Sequence, residues 1–333
     1  MPITGVYFIP SNPNASTGLA TITERLHTAL ADEPTLVGRW FLEHRLMRDT
    51  PSCVPASASQ RQVQPRYMQF LSLSFHSNHG FIYTSEALEK STHHHTATSV
   101  NPTPAGSPTN TSPQNGAPGA TAPTPSTPSN AAAPSGGPMV MTTVPLPSCN
   151  ALFQHFGYAC QPFWCHRHTV TVPGGVVYDV GDFRVRVGDV RQTQPAARVR
   201  GTVVEIEWRG PCIVDSISAP RNPSDGQLAD DDDSGIDMAF PDAIEDADID
   251  AEYAASAALI REFWARLGIE GAREAILLPD VGKEAKDRLR RLKQKGRHTV
   301  SDEANLQQTD EDPDPDAGVD VARQFMEIFR FNR

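Results

Sequence analysis

Apolar residues recur along the chain at two spacings, and each spacing predicts an element. Ile3 to Ile9 is a short apolar run closed by Pro10, the pattern of a strand. From Thr17 to Ala31, Leu19, Ile22, Leu26, Ala29 and Leu30 keep a helical period, with Ser16 or Thr17 as the cap. Trp40, Leu42 and Leu46 alternate with Glu43, Arg45 and Met47, and Tyr67, Leu71, Leu73 and Phe75 with Ser72, Ser74 and His76. Both stretches read as strands, and Gly80 to Tyr83 returns as the hairpin partner of the second. Cys149 to Tyr158 reads as a short helix carrying Leu152, Phe153 and Phe156.

The clearest alternation comes later. Phe183, Val185 and Val187 interleave with Asp182, Arg184 and Arg186, and Val204, Ile206 and Trp208 with Glu205 and Glu207. Before them, Phe163 to Val172 and Val176 to Val180 read as two strands on either side of a Gly174-Gly175 turn, and Pro211 to Val214 adds one more after them. Tyr253 to Leu267 is predicted as a helix with Ile260, Phe263, Trp264 and Leu267 on one face and Gly268 as its stop. In a last helix from Val319 to Phe331, Ala322, Phe325, Met326 and Phe329 fall at i, i+3, i+4 and i+7. Seven or eight short strands in hairpin order predict an α+β chain, mainly antiparallel β. Its sheet would be a closed or nearly closed β-barrel with flanking helices.

Composition changes this picture by showing how much of the 333 residues lies outside the pattern. No Asp, Glu, Lys or Arg occurs from Ser91 to His166, and 12 of the 29 prolines fall between 91 and 147. Too few large apolar residues remain there to offset ordering the backbone, so the stretch reads as a disordered, partly polyproline insertion, its His93 to His95 run included. Asn222 to Ile260 holds 12 acidic residues and no basic one, so a net charge of −11 leaves the rest of the chain at +1. Between 269 and 318 the charges segregate: Lys283 to Arg297 has eight basic and two acidic residues, and Asp302 to Asp320 has eight acidic and none basic. The predicted organisation is a first part of the barrel domain over 1–90, the Pro/Ser/Thr-rich insertion over 91–147 and a second part of the barrel over 148–218. An acidic disordered loop follows over 219–250, a helix packing on the barrel over 251–268, a largely disordered insertion over 269–318 and a C-terminal helix over 319–333.

Several classes drop out. No apolar run approaches the roughly 20 residues of a membrane span, and the N-terminus lacks the charged and apolar regions of a signal peptide. Five cysteines without a paired framework fit a reducing compartment, which leaves the Asn14 and Asn110 glycosylation triplets idle. A near-neutral core argues against direct nucleic-acid binding; Lys283 to Arg297 could serve as an import signal or a nucleic-acid contact, but a solvated helix balanced by the acidic tail beyond it fits the stretch better.

Four constellations carry candidate chemistry. Glu205 and Glu207 alternate on one strand face before Arg209, resembling the metal-binding strand of tunnel-shaped triphosphate hydrolases, where acidic pairs hold a divalent ion. The structural alternative is cross-strand pairing of Glu205 and Glu207 with Arg184 and Arg186, which alternate in the same way on the preceding strand. Cys160, Cys165, His166 and His168 invite a zinc reading, with the two histidines on one face, but the C-x4-C-H-x-H spacing has no knuckle, and ordinary strand residues fit it better. The last helix is apolar on more than one face, so Phe325, Met326, Ile328 and Phe329 are either core on two sides or a partner-binding stripe. Neither a nucleophile elbow nor a phosphate-binding glycine loop occurs, so no catalytic residue, cofactor or metal is assigned.

Four segments together resemble the Mediator complex subunit 20 family, also called the TATA-binding-protein-related-factor-proximal family. They are MPITGVYFIP with its following helix, YDVGDFRVRVGDV from Tyr178 to Val190, VRGTVVEIEWRGPCIV from Val199 to Val214, and QFMEIFRF from Gln324 to Phe331. The resemblance implies a non-enzymatic β-barrel subunit of a nuclear transcription coactivator. It would pair with Mediator subunit 18 in the head module, be tethered by Mediator subunit 8, and act on RNA polymerase II. It leaves out the three insertions.

Overall fold

The computed structural model describes residues 3–11, 18–50, 66–85, 139–161, 163–213, 244–298 and 317–330. The greater part of the predicted insertions over 91–147 and 219–250, residues 299–316 of the third, His93 to His95 and Phe331 lie outside them.

One antiparallel sheet organises these residues. Its strands are β1 (Ile3–Pro10), β2 (Thr35–Asp49), β3 (Tyr67–Leu73), β4 (His79–Ser85), β5 (Met139–Pro145), β6 (Trp164–Val180), β7 (Phe183–Gln194), β8 (Arg198–Trp208) and β9 (Arg273–Ala275). Their spatial order is β5-β4-β3-β2-β6-β7-β8-β1-β9. Five α-helices and a 3-10 turn (Ser74–His76) accompany it among the described residues, the α-helices being α1 (Gly18–Ala29), α2 (Leu146–Tyr158), α3 (Asp246–Leu267), α4 (Lys283–His298) and α5 (Val319–Ile328).

The expected closed or nearly closed barrel is corrected: β5 and β9 are the two ends of the sheet, and no ladder joins them. The sheet curls instead around α5, which touches β1 and β9 near one end and β3, β4 and β5 at the other. A helix with its side chains is about 10–12 Å across, whereas paired strands lie about 4.8 Å apart. With α5 between them, the end strands are too far apart to bond.

Both sides of the sheet are packed. Within the trough, Val319, Ala322 and Phe325 of α5 and Phe329 at its end join Phe8, Trp40, Leu71, Phe81 and Val203 in one cluster. Polar bonds hold α5 in place as well: Thr4 Oγ1 donates to Gln324 Oε1 at 2.7 Å, and Gln324 Nε2 donates to the carbonyls of Thr4 and Ile276. On the outer face, Ile22 and Leu26 of α1 and Ile260, Phe263 and Leu267 of α3 cover β1, β7 and β8. Cys149 of α2 packs with Met47, Met68, Phe70 and Trp164 at the other half.

Other expectations change for local reasons. Gly174-Gly175 does not turn the chain: β6 runs through it as one strand. Gly175 leaves room for Trp40, whose indole nitrogen would lie 2.1 Å from a Cβ there, and that nitrogen donates instead to the Val187 carbonyl at 3.1 Å. Residues 211–213 form no strand. Met139–Pro145, placed by composition in the proline-rich insertion, pairs with β4 as β5. Helix α3 starts at Asp246, inside the predicted acidic loop, because Glu245 and Asp248 close a capping box and acidic groups suit a helix N-terminus. The basic stretch from Lys283 is helical, and its Ala285 and Leu289 enter the outer core.

Candidate functional site

The ladder between β7 and β8 sets Arg184 opposite Glu207 and Arg186 opposite Glu205. Arg186 serves both acids, with Nη1 2.6 Å from Glu205 Oε2 and Nη2 2.7 Å from Glu207 Oε2. Its guanidinium lies 4.1 Å from the centre of the Phe75 ring. Arg184 turns the other way, donating to both Asp179 oxygens at 2.8 and 3.0 Å, and Arg209 reaches the same carboxylate at 3.1 Å. Glu205 is completely buried, and its Oε1 has no hydrogen-bond partner. Burial pushes its carboxyl up to about 7; the Arg186 charge opposes this and the Glu207 charge adds to it.

Arg184, Arg186, Glu205, Glu207 and Phe75 line a cavity of about 250 Å³ at the end of the trough, together with Thr4, His76 and the first residues of α5. Gly318, which precedes α5, has φ +82°, and a Cβ there would meet His76 Nε2 at 2.4 Å. Glycine is required on both counts. Burial, then the nearby Arg186 charge, lowers the His76 imidazole to about 4.

A second network adjoins the first through Asp320, which also lines the cavity. Arg323 grips Glu284 with Nη2–Oε1 at 2.6 Å and Nη1–Oε2 at 2.7 Å, and bonds the Asp280 carbonyl at 2.9 Å. Asp320 accepts from Arg323 at 3.3 Å, from the Tyr253 hydroxyl at 2.8 Å and from the Gly282 amide at 3.1 Å. Burial and then the Glu284 charge raise the Asp320 carboxyl to about 7. The members of this network come from α3, α4, α5 and a loop, so no local pattern marks it; in the sequence only the mixture of acids and bases between 280 and 323 hints at it.

The two carboxylates of the hydrolase reading are therefore bound to one arginine, at the mouth of a trough occupied by α5. Among the described residues no group of three or more His, Cys, Asp and Glu is arranged to hold a metal ion. The structure lends the tunnel phosphohydrolase reading no support. His166 and His168 do not share a face, because the β2–β6 register shifts between Leu46 and Met47. His166 bonds Thr169 Oγ1 at 3.0 Å and meets Phe153 of α2, whereas His168 lies 6.0 Å from the His44 ring on the trough side. Burial lowers His44 to about 4 and His168 to about 3, the latter helped by the His44 charge. Cys160 and Cys165 form no disulfide among the described residues. Phe325, Met326, Ile328 and Phe329 are buried within the chain's own core, and the apolar surplus of α5 is matched by a sheet that curls around it. Three basic side chains of α4 are engaged internally: Lys286 with Asp250, Arg290 with Asp246, and Lys293 with the Ile244 carbonyl.

An open antiparallel sheet wrapped on its own helix, with charge networks fastening its elements, places the chain in the α+β class. Over residues 1–330 the sequence matches the family Med20, described as the TATA-binding related factor (TRF) of subunit 20 of Mediator complex. The chain belongs to that family, and so to the Mediator subunits that act in transcription regulation. Comparison with curated proteins gives no match. Among solved structures, it is similar to the structure of PH1819 protein from Pyrococcus horikoshii OT3 at 8% identity and a TM-score of 0.32, over 81% of this chain and 93% of that one. That likeness is too slight to carry an argument. No helix among the described residues is long and apolar enough to cross a membrane.

Proposed function

We propose that this chain is a non-enzymatic scaffold subunit of the Mediator head module, working in the nucleus. It pairs with Mediator subunit 18, is tethered through subunit 8 and acts on RNA polymerase II through the assembled head. The family match carries this reading, because it extends over 1–330 and takes in every strand and helix of the fold. The arrangement of the trough supports it: α5 occupies the space a substrate tunnel would need, and Arg186 is bound to the two candidate carboxylates. Such a subunit works by burying surface against a neighbour, with affinity set by a few well-packed side chains.

Co-expression with Mediator subunit 18 tests the pairing. A 1:1 complex that survives size exclusion is the expected result, and separate elution of the two chains would refute it.

A further inference from the structure

The ladder of the sheet steps past two apolar residues of β2. Leu36 pairs with Tyr178 and Gly38 with Val177, then Trp40 with Gly175 and Leu42 with Val172, so Val37 and Phe41 have no partner on β6. Irregularities of this kind re-aim side chains out of the in–out alternation of a strand. Here they turn hydrophobic groups to solvent: Val37 is 53% exposed, Phe41 51% and neighbouring Leu36 66%. On its other side, β2 pairs with β3 only from Leu42 onward. Among the described residues, no strand covers that edge from 35 to 41.

Single exposed apolar residues need no explanation. Three in one stretch, two of them expelled by the ladder and bordered by grooves, form a patch of the kind that marks interaction surfaces. Phe41 stands between the grooves. One, of about 490 Å³, runs past Leu73, Leu146, Val172 and Pro173, and the other, of about 340 Å³, past Val37, Arg39, Val177 and Arg184. The second groove has a cationic rim. Arg184 and Arg186 already hold carboxylates of this chain, but exposed Arg39 has no carboxylate partner among the described residues.

We propose that this bulged edge of β2 is the surface on which a second, different chain docks, with an apolar segment that carries a carboxylate to meet Arg39. Val37 and Phe41 are the apolar contacts, and Arg39 fixes the charge of the partner. Taking Mediator subunit 18 as that chain rests on the pairing proposed above.

The test uses the full chain, purified subunit 18 and equilibrium affinities. Val37→Ser with Phe41→Ser is expected to weaken binding by about 30-fold or more, the loss of a hot-spot pair, while the thermal midpoint of the free chain stays put. Arg39→Glu should weaken it about tenfold, as a charge reversal at an interface rim does. Tyr158→Ser, at an 82% exposed residue away from the edge, should change nothing. If the wild-type chain binds and the β2 variants bind equally well, the surface assignment is overturned and the pairing stands. If the wild-type chain does not bind, the pairing fails and the assignment falls with it. Self-association of the wild-type chain that the β2 variants abolish would give the edge to a second copy and overturn the different-chain assignment.

Discussion

The two charge networks at the end of the trough share a cavity but differ in how they are satisfied. In the Arg186 network, adjacent strands supply all the groups, and one guanidinium serves two carboxylates. One oxygen of the buried Glu205 is left without a partner. In the Arg323 network, both oxygens of Glu284 on α4 and both oxygens of Asp320 receive donors, contributed by Tyr253 of α3, Arg323 of α5 and the Gly282 amide. Strand register thus brings opposite charges together without guaranteeing that every lone pair is used. A network assembled from distant segments can satisfy each oxygen and, in doing so, fasten three helices together. A fully connected buried network suffers most when one member is removed, because the remaining charge is left uncompensated.

The comparison breaks most visibly at Arg323. Arg323→Met leaves two largely enclosed carboxylates without their cation and should cost about 3 kcal/mol in urea denaturation. Adding Glu284→Met should recover a large part of that loss, and an equal loss in the double variant would show that packing, not charge, is at stake. A smaller effect is expected at Glu205, and it depends on pH. Its folded value near 7 lies above the ordinary 4.5, so the folded state holds the extra proton between those values. Stability from this group therefore falls as pH rises from about 4.5 to 7. Glu205→Gln should flatten that slope by on the order of 2 kcal/mol over the window, measured as denaturation midpoints at a series of pH values. An unchanged slope would mean that Glu205 is charged throughout. The smallest effect is at the exposed end of the strand ladder: Arg184→Gln should cost roughly 0.2–1 kcal/mol and lose importance at high salt. A cost rivalling that of Arg323→Met would erase the distinction between the two networks.

Legibility followed the range of the interactions. The alternation of β7 and β8 was readable because period two and hairpin order fix which side chains face each other, and the pairs Arg184–Glu207 and Arg186–Glu205 fall opposite one another in the ladder. The direction of the Arg184 side chain was not readable, since Asp179 on the neighbouring strand offers it two oxygens at once. Gly174-Gly175 read as a turn because glycine pairs mark turns, yet its use here is to admit the Trp40 ring. Acidic and basic stretches read as solvated, whereas the first supplies the cap of α3 and the second carries Ala285 and Leu289 into the core of a helix held by its ion pairs.

By itself the sequence determined most of the antiparallel strands, the helices with a clear apolar stripe and, through four ordered segments, the family. These depend on neighbours close along the chain or on a hairpin partner, where spacing alone specifies geometry. Only the tertiary structure decided that the sheet stays open, that the two-faced apolar helix α5 fills its trough, and that Val37 and Phe41 leave the ladder for solvent. Each of those outcomes depends on how segments far apart in sequence share one volume, and no local period records it.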